Sequence, residues 1–142
     1  MKLMFVSDIH GSYYYLNKAL EAYYNEKPDK LILLGDLLYH GPRNDLPKEY
    51  APKKVIPVLN DLKNMIIAVR GNCDAEVDQM VLDFPMMADY ATIDVDGHHF
   101  FLSHGHLFNY NFLYNCIIKF FNNKFIIFIN TITIPSLFRQ RN

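Results

Sequence analysis

Cysteine is scarce: Cys73 and Cys116 are the only two in the chain, too few for the cross-linked framework of a small secreted protein. A reducing, cytoplasmic setting follows as the expectation. An excess of charge of either sign is also lacking. The formal net charge is −1, so no global positive field draws the chain to nucleic acid or to an anionic membrane, and a small ligand is the expected partner. Long unbroken apolar runs are missing too. The most apolar stretch, Phe112 to Ile129, is interrupted by Asn115, Lys119, Asn122, Asn123 and Lys124, more polar breaks than a membrane-spanning helix tolerates. Ser7, Asp8 and His10 follow the first apolar residues too soon for a signal peptide. No Gly-x-Gly-x-x-Gly succeeds that first run, which argues against a doubly wound nucleotide-binding domain. With 142 residues, 51% of them hydrophobic, the chain has room for one domain around a single core.

What is present is a set of short apolar runs. Leu3 to Val6, Leu31 to Leu34 and Met65 to Val69 read as parallel strands covered on both faces. Between the first two, Leu16, Ala19, Leu20 and Tyr23 recur at helical spacing over Tyr13 to Asn25, with Ser12 placed to cap the start. A loop carrying Pro42, Pro47 and Pro52 leads to a second helix near Lys53 to Leu62, and Glu76 to Leu82 is expected to form a third, closed by Pro85. The arrangement is α/β. Beyond it, Tyr90 to Val95 alternates, Asp96-Gly97 signals a tight turn, and His98 to Ser103 returns, a hairpin that begins a second sheet.

Each run ends in a polar cluster: Ser7-Asp8-Ile9-His10-Gly11, Leu34-Gly35-Asp36, Arg70-Gly71-Asn72-Cys73-Asp74 and Ser103-His104-Gly105-His106. Strand ends of one sheet share an edge, so Asp8, His10, Asp36, Asn72 and His104 are expected to converge on one crevice. Residues two apart in an extended segment share a face, which would turn Asp8 and His10 to the same side. A carboxylate such as Asp36 can offer one oxygen to each of two cations about 3.5 to 4 Å apart, the spacing used in two-metal hydrolysis. The donors are mixed nitrogen and oxygen, so Mn, Fe, Zn, Co and Ni all suit them. Any one cluster alone is as readily a solvated turn; their recurrence on successive strand ends is what carries weight.

These four strings resemble the ordered motifs of the calcineurin-like metallophosphoesterases. His40-Gly41-Pro42-Arg43-Asn44, Tyr50-Ala51-Pro52 and Glu76-Val77-Asp78-Gln79-Met80 narrow the resemblance to small bacterial phosphodiesterases of the YfcE type. It runs from Met1 to about Phe108. It implies an αββα sandwich, hydrolysis of small phosphodiesters, and two divalent cations, Mn²⁺ the expected ion. It makes Asp8 and His10 ligands of one metal, Asp36 the bridge, and Asn72 and His104 ligands of the other, with His106 close by. Cys73 stands where many members carry a leaving-group histidine. A thiol is a poorer proton donor there, which implies a preference for well-activated aryl or nucleotide diesters; the competing reading of Cys73 is a small packing residue. His40 and Arg43 are candidates for substrate binding, against the alternative of a solvated loop. His98 and His99 are assigned to neither metal.

The resemblance also implies a closing Gly-His-x-His, one histidine for each metal. Asn130 to Pro135 stands about where it is expected and supplies no imidazole. From about Leu107 the composition changes: there is no Asp or Glu after Asp96, no Gly after Gly105 and no Ala after Ala91. The expected division is therefore a metallophosphoesterase domain over residues 1–108 and a divergent apolar tail over 109–142, the second sheet truncated or replaced at its end. Two origins for the tail stand open: a frame change or early termination in an A+T-rich gene, and a natural apolar terminus. Phe112, Phe120, Phe121, Phe125 and Phe128, if exposed, invite self-association into homo-oligomers. The competing function is a protein-interaction scaffold with a degraded metal site, or a defective fragment.

Overall fold

The structure, a computed structural model, describes residues 1–108 and the backbone of a strand at Phe125–Ile129. Three strands, β1 (Leu3–Val6), β2 (Lys30–Leu33) and β3 (Ile66–Ala68), form a parallel sheet in the order β1-β2-β3. The register sets Leu3 opposite Lys30 and Leu31 opposite Ile66. Helix α1 (Tyr13–Glu26) connects β1 to β2, and α2 (Pro52–Asp61) lies between β2 and β3. A short α3 (Glu76–Gln79) follows, then the hairpin β4 (Ala91–Val95) and β5 (His98–Ser103), and β6 (Phe125–Ile129) pairs in parallel with β5.

Alternation along the strands explains the layering. Met4, Val6, Leu31, Leu33, Ile66 and Ala68 face the helices, packing with Leu16, Tyr23, Val55 and Leu59. The residues between them, Leu3, Phe5, Ile32, Leu34, Ile67 and Val69, face the second sheet, meeting Leu102, Ala91, Ile93 and Phe100. Strands apolar on both faces are what a sheet enclosed on both sides requires. The result is a mixed α/β fold of a parallel and a mixed sheet, face to face, as the sequence reading expected. The remaining expectations for the tail, including Cys116, Phe112, Phe120, Phe121 and Asn130 to Pro135, lie outside the described residues.

Local chemistry sets the helix bounds. Ser12 caps α1, its hydroxyl oxygen accepting from the Tyr15 N–H at 3.2 Å while the hydroxyl donates to the Lys48 carbonyl at 2.6 Å. The same contact pins the loop after β2 to the start of α1, aided by Tyr13 N–H to Glu49 and Ala51 N–H to Gly11. Pro52 begins α2, where its missing N–H costs nothing. Helix α3 stops at Gln79 rather than reaching Leu82. The Gln79 amide donates to the Leu82 and Phe84 carbonyls and accepts from the Met86 N–H, folding the chain back on itself.

Asp78, in α3, is 8% exposed, and its carboxylate accepts from the Ala75 N–H at 2.9 Å. Burial pushes its carboxyl above the usual range, opposed by that N–H and reinforced by the Asp74 charge. The folded chain therefore holds this proton more tightly than the unfolded one. Its contribution is most favourable below the ordinary carboxylate pKa and is lost as pH rises through the raised value. Asp78→Asn keeps an acceptor for Ala75 and removes the buried charge. Thermal melts should show the variant more stable than the parent at neutral pH, with the gap shrinking on acidification; a variant less stable at neutral pH would contradict this.

Candidate metal centre

The carboxyl ends of β1, β2 and β3 open on one edge, and β5 arrives from the second sheet to close it. At this edge the backbone is contorted: Asp8 (φ 54°), His10 (φ 47°) and Asp36 (φ 57°) are all left-handed. Such conformations cost non-glycine residues about 1–2 kcal/mol each, and their clustering marks a site held in place by its surroundings. The expectation that Asp8 and His10 share a face of an extended segment is corrected here. They meet because their loop runs beside the loop after β2, with Asp8 N–H to Gly35, His10 N–H to Asp36 and Gly11 N–H to Leu37 at 3.1, 2.9 and 2.9 Å.

Asp36 is the centre of the arrangement and is only 2% exposed. Its Oδ1 accepts from the Cys73 N–H at 2.8 Å. Its Oδ2 lies 3.6 Å from His10 Nε2 and 3.5 Å from His104 Nε2. Asp8 Oδ1 is 3.4 Å from the same His10 nitrogen. Asp74 reaches the segment from below, accepting from the Asp36, Leu37 and Gly71 N–H groups at 2.7, 2.9 and 2.7 Å. Glycine is required where the loops touch. A Cβ on Gly71 would lie 2.0 Å from Asp36 Oδ1, and one on Gly35 2.2 Å from Gly71 N.

Both imidazoles are oriented by backbone carbonyls. His10 Nδ1 is 2.7 Å from the Tyr39 oxygen, and His104 Nδ1 is 2.8 Å from the Leu34 oxygen. A carbonyl only accepts, so each Nδ1 carries the proton and, in the neutral ring, each Nε2 offers a lone pair to the crevice. His104 Nε2 then faces the Asn72 side-chain oxygen at 2.9 Å, acceptor against acceptor. Two acceptors so close would both serve as ligands to a divalent cation, and the donor set fits one. Asp8, Asp36 and His104 can each bring a ligand atom within 4.8 Å of the others, as can His10, Asp36 and Cys73. Asp36 is common to both groups.

Cys73 is half-buried, its sulfur accepting from the Asn72 amide at 3.2 Å. Burial and then the Asp36 charge push its thiol up to about 11, so it stays protonated at neutral pH. His106 is exposed, its ring 5.4 Å from that of His104; partial desolvation and then the neighbouring His104 lower its pKa. His40 packs edge-on between Tyr39 and Tyr50, with ring centroids 4.9 and 5.2 Å away, and its Nδ1 is buried without a hydrogen-bond partner among the described residues. A Cβ on Gly41 beside it would come 3.3 Å from Cys73 Sγ, so this loop flanks the crevice. Arg43 is exposed on that loop. His98 and His99 are both exposed. Sequence reasoning placed Asp74 in the third polar cluster without giving it a role, and missed the Tyr39 and Leu34 carbonyls. An Asp placed three residues after the Gly71 turn was the only available signal, and backbone carbonyls leave none.

A buried carboxylate shared between strand-end imidazoles, set on paired sheets, defines a metallophosphoesterase-type domain. The chain belongs to the calcineurin-like phosphoesterase family, whose model matches residues 1–140. It is 52% identical over 108 residues to phosphodiesterase YfcE of Escherichia coli K12, an alignment covering 76% of this chain and 59% of that one. The solved structure of YfcE, a phosphoesterase from E. coli, superposes with a TM-score of 0.76 at 50% identity, covering 78% of this chain and 61% of that one. A symmetrical bis(5'-nucleosyl)-tetraphosphatase of Buchnera aphidicola is 36% identical over 75 residues, 52% of this chain and 24% of its own. The chain thus spans about three fifths of the length of its YfcE relatives.

The glycine contact gives a direct test of this geometry. Gly71→Ala must displace the Asp36 carboxylate or the loop bearing it, an overpacking of the kind that costs about 1–3 kcal/mol. Urea unfolding should show a loss of that order, accompanied by loss of cation binding; unchanged stability and binding would mean the two loops do not touch as described.

Proposed function

We propose that the chain is a phosphodiesterase domain acting on small phosphodiesters at a binuclear centre. The observation that carries the reading is Asp36, buried and shared between two oriented imidazoles. Asp8, His10 and Asp36 would hold one divalent ion and Asp36, Asn72 and His104 the other, Mn²⁺ being the expected metal, and such ions supply charge to phosphoryl oxygens and a water of lowered pKa. The protein residues do the rest of the positioning. Carbonyl-anchored His10 and His104 cannot swing away, which keeps the donor set preorganised before substrate arrives. His106, exposed at the rim, and His40 with Arg43 on the flanking loop are the residues offered to the phosphate and its substituents.

Cys73 is assigned the leaving-group side. Its thiol holds a proton at neutral pH and releases it reluctantly, so departure of a poor leaving group is little assisted. Aryl and nucleotide diesters, whose leaving groups need least help, are the preferred class. Cys73→His should extend hydrolysis toward less activated esters, by roughly the hundred- to ten-thousand-fold a positioned general acid contributes. A substrate profile identical to the parent's would count against this role.

Among the described residues no helix is long and apolar enough to cross a membrane, and a cytoplasmic setting is part of this proposal on the strength of the two cysteines. The test of the centre is a Mn²⁺ titration read by melting temperature and by hydrolysis of a bis-aryl phosphate, with Asp36→Ala alongside. A ligand bound only by the folded state stabilises by about RT ln(1 + [L]/Kd). A saturable upward shift and Mn²⁺-dependent turnover, both abolished in Asp36→Ala, are expected. A cooperative melt indifferent to Mn²⁺ would favour the interaction scaffold instead.

A further inference from the structure

We propose that Asp74 is the positioning residue that sets the bridging carboxylate of the centre, an inference that rests on the metal-site reading above. Asp74 is not itself placed to bind a cation. It is buried, 8% exposed, and both of its oxygens are committed to backbone donors. Oδ2 accepts from the Asp36 and Gly71 N–H groups and Oδ1 from the Leu37 N–H. Those donors belong to two different loops, one following β2 and one following β3. A single carboxylate therefore ties together the loop that carries Asp36 and the loop that carries Asn72 and Cys73.

The consequence for Asp36 is specific. Its N–H is held by Asp74 and its carbonyl by the His10 N–H at 2.9 Å, so the peptide groups on both sides of its left-handed Cα are fixed. With φ at 57° set in this way, the Cα–Cβ bond is aimed into the crevice, and the carboxylate lies beside Cys73 N–H, His10 and His104. Without the clamp, Asp36 would relax to an ordinary backbone conformation and carry its carboxylate off the line between the imidazoles. Asp74 also leaves a second negative charge beneath the crevice, which favours a cation above it through the low-dielectric interior.

Asp74→Asn keeps the volume but removes the charge, and it replaces one acceptor with an amide that points donor at donor. Gln79→Ala is the matched control. Gln79 also makes three hydrogen bonds to backbone groups, those of Leu82, Phe84 and Met86, and neither it nor these partners is a donor in the centre. The full chain and both variants would be compared by melting in a chelator and by calorimetric titration with Mn²⁺. Both variants should melt lower than the parent. Only Asp74→Asn should lose Mn²⁺ affinity, by about ten- to a hundredfold, the usual effect of removing a group that orients a ligand. Equal affinity of Asp74→Asn and the parent, or an equal loss in Gln79→Ala, would overturn the proposal.

If Asp74→Asn does not fold, Asp74→Glu, which keeps the charge at a longer reach, is read by the same two quantities and should show the same selective loss. Failure of both Asp74 variants to fold while Gln79→Ala folds would make the residue purely structural and overturn the proposal. A parent chain that folds and binds no Mn²⁺ would sink the metal-site reading itself, and this inference with it.

Discussion

The left-handed backbone at Asp36 is the constraint around which the rest of this centre is arranged. An L-residue in that conformation gives up about 1–2 kcal/mol. Hydrogen bonds to a charged partner contribute about 1.5–3 kcal/mol each, and the Asp74 carboxylate makes three of them across the two loops. The balance therefore favours the contorted form, provided the buried Asp74 stays charged and fully partnered. Gly35 and Gly71 are part of the same constraint, because any side chain at either would occupy space taken by the other loop or by Asp36 itself.

The two-sheet architecture determines which donors can meet Asp36. The parallel sheet can deliver only what lies at its carboxyl edge, namely Asp8, His10, Asp36 and the Asn72 loop. His104 comes from the end of β5, and it reaches the edge because Leu102 packs against Ile32, Leu34 and Val69 between the sheets. The ring is then fixed by the Leu34 carbonyl, just past the end of β2. Packing between layers and preorganisation of the centre are thus one problem. A loss in the sheet interface would be felt at His104 before it was felt at Asp8.

Much of this was legible in the sequence, for reasons that are local. Helix α1 announces itself through the Ser12 cap and the spacing of Leu16, Leu20 and Tyr23, and the Asp96-Gly97 turn sets the β4–β5 hairpin. The identity of the clustered residues was legible because polar, metal-competent clusters recur at the ends of successive apolar runs. The way they converge was not. Asp8 and His10 meet through backbone bonds to a loop more than twenty residues away, and no pattern within Ser7 to Gly11 encodes that. Asp74 stood in the third cluster, but its role was not legible for a related reason: a carboxylate whose partners are main-chain N–H groups leaves no trace in the identity of those partners. The early end of α3 depends on Gln79 reaching back-folded carbonyls, again a tertiary event.

Diffraction from crystals of the full chain grown with Mn²⁺, recorded at a wavelength where manganese scatters anomalously, tests the account most directly. It predicts anomalous density beside the Asp36 carboxylate, flanked by His10 and His104, with Asp36 retaining its left-handed backbone. An ordered Asp36 with no such density beside it, or manganese bound only elsewhere on the chain, would contradict it.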